Sequence, residues 1–272
     1  MPDSNKLPSI YIPHGGGPWN VMQEDFGEDS GYQGLREYLV ALGDAYRERA
    51  KAILVISAHW EEARPTVHFG ARPGMLYDYG GFPDFTYKLQ WPSPGSPEVA
   101  ARVEELLKAS GFATAREEER GYDHGTFVPL MVAFPEARLP VAQLSLISGL
   151  DPEAHFRMGR ALEPLRSEGV LIIGSGMSYH NMRGFMSGDS GVAAASKRFD
   201  EWLAQAVAMA DPEKRKEALV GWRKAPGALD CHPRSEHLVP LFIAAGAAGS
   251  DPGRRDYSAG LMGVSISSHV FG

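Results

Sequence analysis

The sequence predicts an α/β domain with a central mixed, largely parallel sheet flanked by helices. Two observations carry this. Short apolar runs rich in β-branched residues alternate with longer amphipathic segments along the chain. The 272 residues, 43% hydrophobic and 22% charged, suit one globular core. Ser9–Ile12, Ala52–Ser57, Val141–Leu146, Val170–Gly174 and Gly263–Ser267 read as strands. Tyr32–Ala50, Pro97–Ser110, Pro152–Ser167, Ala193–Met209 and Ser235–Ala245 read as helices. Ser96-Pro97 and Asp151-Pro152 are helix starts, in which the first residue caps and proline fits the first turn. Gly111 stands where a helix-ending glycine belongs. No fixed-period repeat or low-complexity linker interrupts residues 1–272, so a single catalytic domain is expected.

The formal net charge of −7, with no Lys/Arg run, argues against nucleic acid or a lipid-headgroup surface as partner. No apolar run reaches the roughly 20 residues that span a bilayer. The polar stretch Met1–Pro8 lacks the apolar core of a signal peptide, and the one cysteine, Cys231, excludes an intrachain disulfide or a thiolate zinc cage. A cytoplasmic protein is expected, as a monomer or a small homo-oligomer.

Three of the nine histidines follow predicted strands closely: His14 in Pro13-His14-Gly15-Gly16-Gly17, His59 in Ser57-Ala58-His59-Trp60, and His180 after Gly174-Ser175-Gly176. In open α/β sheets the carboxyl edge of the strands is where ligands bind. Glycines beside His14 and His180 let an ion or substrate approach the main chain. A lipase-like oxyanion loop is a poor reading of His14-Gly-Gly-Gly, because no Gly-x-Ser-x-Gly elbow accompanies it. His124 lies in a loop expected to lead into a helix, and Ser235 is expected to cap a helix with His237 in its first turn. The aromatic stretch from Phe69 to Pro97 reads equally as a substrate lid or as a loop packed on the core. Singly, His68, His155 and His269 read as structural residues.

Taken in order, these segments resemble the class III extradiol ring-cleaving dioxygenases, and within them the DOPA 4,5-dioxygenase-like branch. The matching stretches include Pro13–Pro18, Ser57–Trp60, Tyr77–Pro83, Trp91–Pro97, Tyr122–Gly125, Val141–Ser145, Gly174–Gly176 with His180-Asn181, and Glu236–Leu241. The resemblance implies a non-haem enzyme that opens a catechol ring with O2 on one divalent metal ion. It implies His14, His59 and His237 as ligands, with Glu236 the alternative to His237 because the wider superfamily uses two histidines and a glutamate. It further implies His180 and His124 as catalytic histidines; Tyr122 and Asn181 are expected to orient the substrate. Fe(II) is expected for activity, and three neutral histidines would also suit Zn(II). A zinc hydrolase or a non-catalytic binding protein on the same fold are the alternatives.

Overall fold

The structure, a computed structural model, describes residues 6–27 and 30–272; the first five residues of the polar Met1–Pro8 stretch therefore lie outside the described residues. The principal elements in chain order are β1 (Ser9–Pro13), α1 (Tyr32–Tyr46), β2 (Ala52–Ser57), α2 (Pro97–Ala109), α3 (His124–Ala133), β3 (Val141–Gln143), α4 (Pro152–Leu162), β4 (Val170–Gly176), α5 (Ser190–Val207), α6 (Val239–Ala247), β5 (Gly253–Leu261) and β6 (Val264–Phe271). The six strands form one sheet in the order β3-β2-β4-β1-β6-β5. The first four are parallel, and β6 and β5 close one side as an antiparallel hairpin. Mixed, largely parallel architecture follows.

The parallel strands are buried along their length, as expected for a sheet covered on both faces. Neighbouring residues of β4 show which helices cover it. A Cβ at Gly174 would strike Pro240 of α6, whereas the Ser175 hydroxyl donates to the Gly125 carbonyl of α3. Successive side chains point to opposite faces, so α3 and α6 sandwich the sheet. Beyond the first turn of α3 both helices are apolar all round, and both are wholly buried but for Met131 of α3. Glycines let the layers close: a Cβ at Gly43 of α1 would meet the Ala133 carbonyl of α3, and one at Gly159 of α4 that of Ile243 in α6.

Several boundaries differ from the sequence reading. Val141–Leu146 splits into β3 and a separate pair, Leu146–Ile147 against Glu61–Glu62. The helix expected over Pro152–Ser167 ends at Leu162 and restarts at Pro164, whose ring leaves no N–H to continue the ladder. Asp189, whose side chain accepts from Gly191 N–H, starts α5 three residues early. The strand β5 was not expected; its burial alternates weakly because it is an edge. Helix α6 starts at Val239 rather than at Ser235. Ser235 contributes its carbonyl, accepting from Leu238 and Val239 N–H, so His237 stands in the turn before the helix, not in its first turn.

Candidate metal centre and catechol site

Strand β1 ends at Pro13 and delivers His14; β2 ends at Ser57 and delivers His59; β4 ends at Gly176, four residues before His180. Because β2, β4 and β1 are adjacent and parallel, their carboxyl ends bring these histidines together. His237 arrives from the other side, its turn held against β4 by the Met177 N–H to His237 carbonyl bond and by the Tyr11 hydroxyl donating to the same oxygen. His124 arrives at the first turn of α3. There Asp123 caps the helix, accepting from Thr126 N–H at 2.9 Å, from the Ser57 hydroxyl at 2.7 Å and from Arg120 at 2.8 Å.

Three ring nitrogens converge. His59 Nε2 stands 3.3 Å from His14 Nε2 and 3.3 Å from His237 Nε2. The outer nitrogen of each ring faces an acceptor: His14 Nδ1 the Gly15 carbonyl at 2.6 Å, His237 Nδ1 Glu236 Oε1 at 3.0 Å, and His59 Nδ1 Asp78 Oδ2 at 3.4 Å. Protonation at Nδ1 leaves a lone pair on every Nε2, and three lone pairs facing inward repel unless a cation lies between them. Nitrogens bound at about 2.0–2.1 Å with tetrahedral angles stand about 3.3 Å apart, so the donor set fits a divalent ion. Burial, reinforced by the neighbouring rings, holds His14 well below its ordinary pKa; His59 falls to about 4, by burial first and then repulsion from His124. Burial likewise lowers His237 well below its ordinary value, against the opposing pull of Glu236. All three are neutral at pH 7.

Two carboxylates brace this cluster, and each holds two histidines. Asp78 Oδ1 accepts from the backbone and ring of His124, at 2.9 and 2.8 Å, while Oδ2 faces His59. Glu236 Oε1 lies 3.0 Å from His237 Nδ1 and 3.2 Å from His180 Nδ1. Burial pushes both carboxyls up, but bonds to their histidine partners outweigh it; Asp78 ends below its ordinary pKa and Glu236 well below. Glu236 therefore meets the Nδ1 edge of His237, the opposite ring edge from the converging nitrogens. Asp78 carried no expected role. Its signal was its place inside the Tyr77–Pro83 motif, as a lone acid among aromatics and glycines.

A cavity of roughly 440 Å³ opens over the histidines, within the usual range of small-ligand sites. His14, His59, His124, His180 and His237 all line it. His180 lies flat on His237, with ring centroids 3.3 Å apart and planes at 15°. Two expected substrate residues lie elsewhere. Tyr122 is fully buried, packed on Trp91, with its hydroxyl 3.2 Å from the Ser93 and Pro94 carbonyls. Asn181 turns away from the cavity to donate to the Asp230 carbonyl at 2.8 Å. The aromatic stretch divides: Tyr79, Gly80 and Phe82 form a cavity wall, while Trp91 is core.

The family of the catalytic LigB subunit of aromatic ring-opening dioxygenases matches residues 8–271. The chain belongs to it. The 4,5-DOPA dioxygenase extradiol of Beta vulgaris is 44% identical over 76% of this chain and 76% of its own. A dioxygenase of Hapsidospora irregularis, tasH, is 38% identical over 97% of this chain and 85% of its own. The crystal structure of an uncharacterized protein of Escherichia coli K12 superposes with a TM-score of 0.79 and 31% identity, covering 98% of this chain and all of that one. This member of the family is thus an extradiol ring-cleaving dioxygenase, an oxidoreductase that uses a catalytic metal, a small-molecule substrate and O2. No helix among its described residues is long and apolar enough to cross a membrane.

Proposed function

We propose that this dioxygenase opens a substituted catechol beside its two hydroxyls, with His14, His59 and His237 holding one metal ion and with His180 and His124 handling protons. The convergence of the three Nε2 atoms carries the reading. The names of the relatives bring DOPA-like or related catechols to this chain as the substrate kind. Fe(II), when bound, supplies the redox chemistry that engages O2 and a seat for both catechol oxygens; Zn(II) would fit the same nitrogens without turning over. The ring carbon–carbon bond next to the diol breaks, both oxygen atoms enter the product, and the catechol itself provides the electrons, so no external reductant is required.

Glu236 engages His180 Nδ1, which leaves His180 Nε2 on the cavity side to take a proton from a catechol hydroxyl. Asp78 fixes His124 in the same sense, leaving its Nε2 lone pair to accept a hydrogen bond from a substrate hydroxyl. Glu236 braces the site rather than serving as a ligand. Residues 1–272 act as one cytoplasmic catalytic domain. It acts as a monomer or a small homo-oligomer.

The test is anaerobic loading with Fe(II), followed by oxygen uptake and absorbance with L-DOPA, protocatechuate and simple catechols. Uptake with a yellow ring-opened product is expected. Protein shown to hold one iron that consumes no oxygen with any catechol would overturn the proposal.

A further inference from the structure

We infer that the substituent of the catechol, the part of the substrate beyond the diol, is uncharged and apolar. This rests on the catechol reading above and narrows it. Beyond the histidine floor, the walls come from Phe26, Phe82, Phe185, Leu261 and the thioethers of Met177, Met182 and Met262. Among the described residues, the lining contains no Lys, Arg, Asp or Glu side chain. The remaining polar side-chain atoms of the wall are the hydroxyls of Tyr32 and Tyr79, and both are engaged. Tyr32 accepts from Gly16 N–H at 3.1 Å, and Tyr79 donates to the Thr86 carbonyl at 2.7 Å.

Asp78, Glu236 and Arg234, the charges nearest the site, serve other partners. Asp78 and Glu236 stand behind the histidines they brace. Arg234 pairs with Glu61 and Glu236, and with Arg183 it lines a separate concavity that meets the cavity only at His180 and Met182. A carboxylate or ammonium on the substituent would lose its water without gaining an oppositely charged side chain, a large penalty. A propyl group would instead bury its carbons, each methylene adding about fourfold in affinity. Met182 is 70% exposed and Met186, whose N–H donates to the Met262 carbonyl, is 74% exposed. Unbranched, exposed thioethers at the mouth make an apolar rim that adapts to substituents of different shape. The preference separates this enzyme from one reading the doubly charged amino-acid end of DOPA.

The test is calorimetric binding, without oxygen, to protein loaded with Zn(II), which does not turn over. Catechol, 4-propylcatechol, 3-(3,4-dihydroxyphenyl)propionate and 4-(2-aminoethyl)catechol are compared, the last three being similar in length and different in charge. The propyl compound is expected to bind at least about tenfold tighter than either charged one. Met182→Arg, a change at an exposed position, is expected to narrow the gap between the propionate and propyl compounds by about tenfold. Equal or tighter binding of a charged compound to the unaltered protein would overturn the inference. So would a propionate affinity that collapses in Arg183→Gln, since that arginine would then be reading the carboxylate. Failure of catechol itself to bind metal-loaded protein would overturn the catechol reading, and this inference with it.

Discussion

Asp78 Oδ1 takes two hydrogen bonds from one residue, His124: the backbone N–H at 2.9 Å and the ring Nδ1 at 2.8 Å. The other oxygen of the same carboxylate lies 3.4 Å from His59 Nδ1. A single side chain thus sets the tautomer and orientation of one proposed ligand and one proposed catalytic histidine. Asp78→Asn keeps the size and removes the charge. It is expected to lower kcat/KM by about 10–100-fold and to weaken metal affinity by a similar factor, as lost outer partners of metal-bound histidines do. Oxygen uptake and metal titration check this; an unchanged metal affinity would restrict Asp78 to His124.

His14 and His180 share a cavity but are assigned different work, and a pair of substitutions separates them. His14→Ala removes one of three converging nitrogens and should abolish stoichiometric metal binding. His180→Ala should retain the metal while lowering kcat by about 10²–10⁴-fold. Elemental analysis of the purified, iron-loaded variants decides between the roles. Metal lost from His180→Ala would make it a ligand.

Glu236→Gln addresses the choice between glutamate and histidine in the same way. Its carboxylate touches the Nδ1 edges of His237 and His180 and lies apart from His14 and His59. The variant is therefore expected to bind one metal ion per chain, with turnover reduced by about 10–100-fold. A carboxylate ligand would predict loss of the ion outright.

Asp251 offers a pH prediction away from the site. Burial raises its pKa, but Lys6 at 3.1 Å and the buried Arg166 at 2.8 Å outweigh that and leave it below the ordinary value. A carboxyl depressed in the folded state adds stability that is complete above the unfolded pKa, about 3.9, and fades as pH falls through the folded pKa. Asp251→Asn should cost about 1 kcal/mol at pH 7, discounted for its partial exposure, and progressively less below pH ~4. Urea unfolding at a series of pH values measures the difference. A cost that stays constant into acid would assign the effect to packing.

The histidine cluster was legible because its positions are tied to strand ends: His14 and His59 follow apolar β-branched runs, and parallel strands place such ends side by side. The His237 turn was misplaced by one element, since Ser235 uses its carbonyl where a side-chain cap was expected. Tyr122 looked like a substrate residue beside His124, yet the chain there passes from an irregular loop into a helix. Neighbours then point in different directions, and Tyr122 turns into the core. Such a reversal depends on tertiary packing, which local pattern does not carry. The bracing by Asp78 was hidden for the same reason. Forty-six residues separate it from His124, and nothing periodic links them.

Gly176 ties the fold to the proposed metal centre most directly. It ends β4, and a Cβ there would overlap the His237 carbonyl oxygen, which already accepts from Met177 N–H and the Tyr11 hydroxyl. Backbone on both sides cannot swing aside as a flexible side chain would, so the His237 turn must move. Gly176→Ala is expected to destabilise the fold by about 1–3 kcal/mol and to shift His237 Nε2 out of register with His14 and His59. Weaker metal binding should accompany the lower stability, whereas Gly43→Ala, which crowds α1 against α3 far from His237, should lower stability with a smaller effect on the metal. Comparing urea midpoints with metal affinities in the two variants separates these effects. Equal loss of affinity in both would mean that the centre responds to overall stability rather than to the position of this one turn.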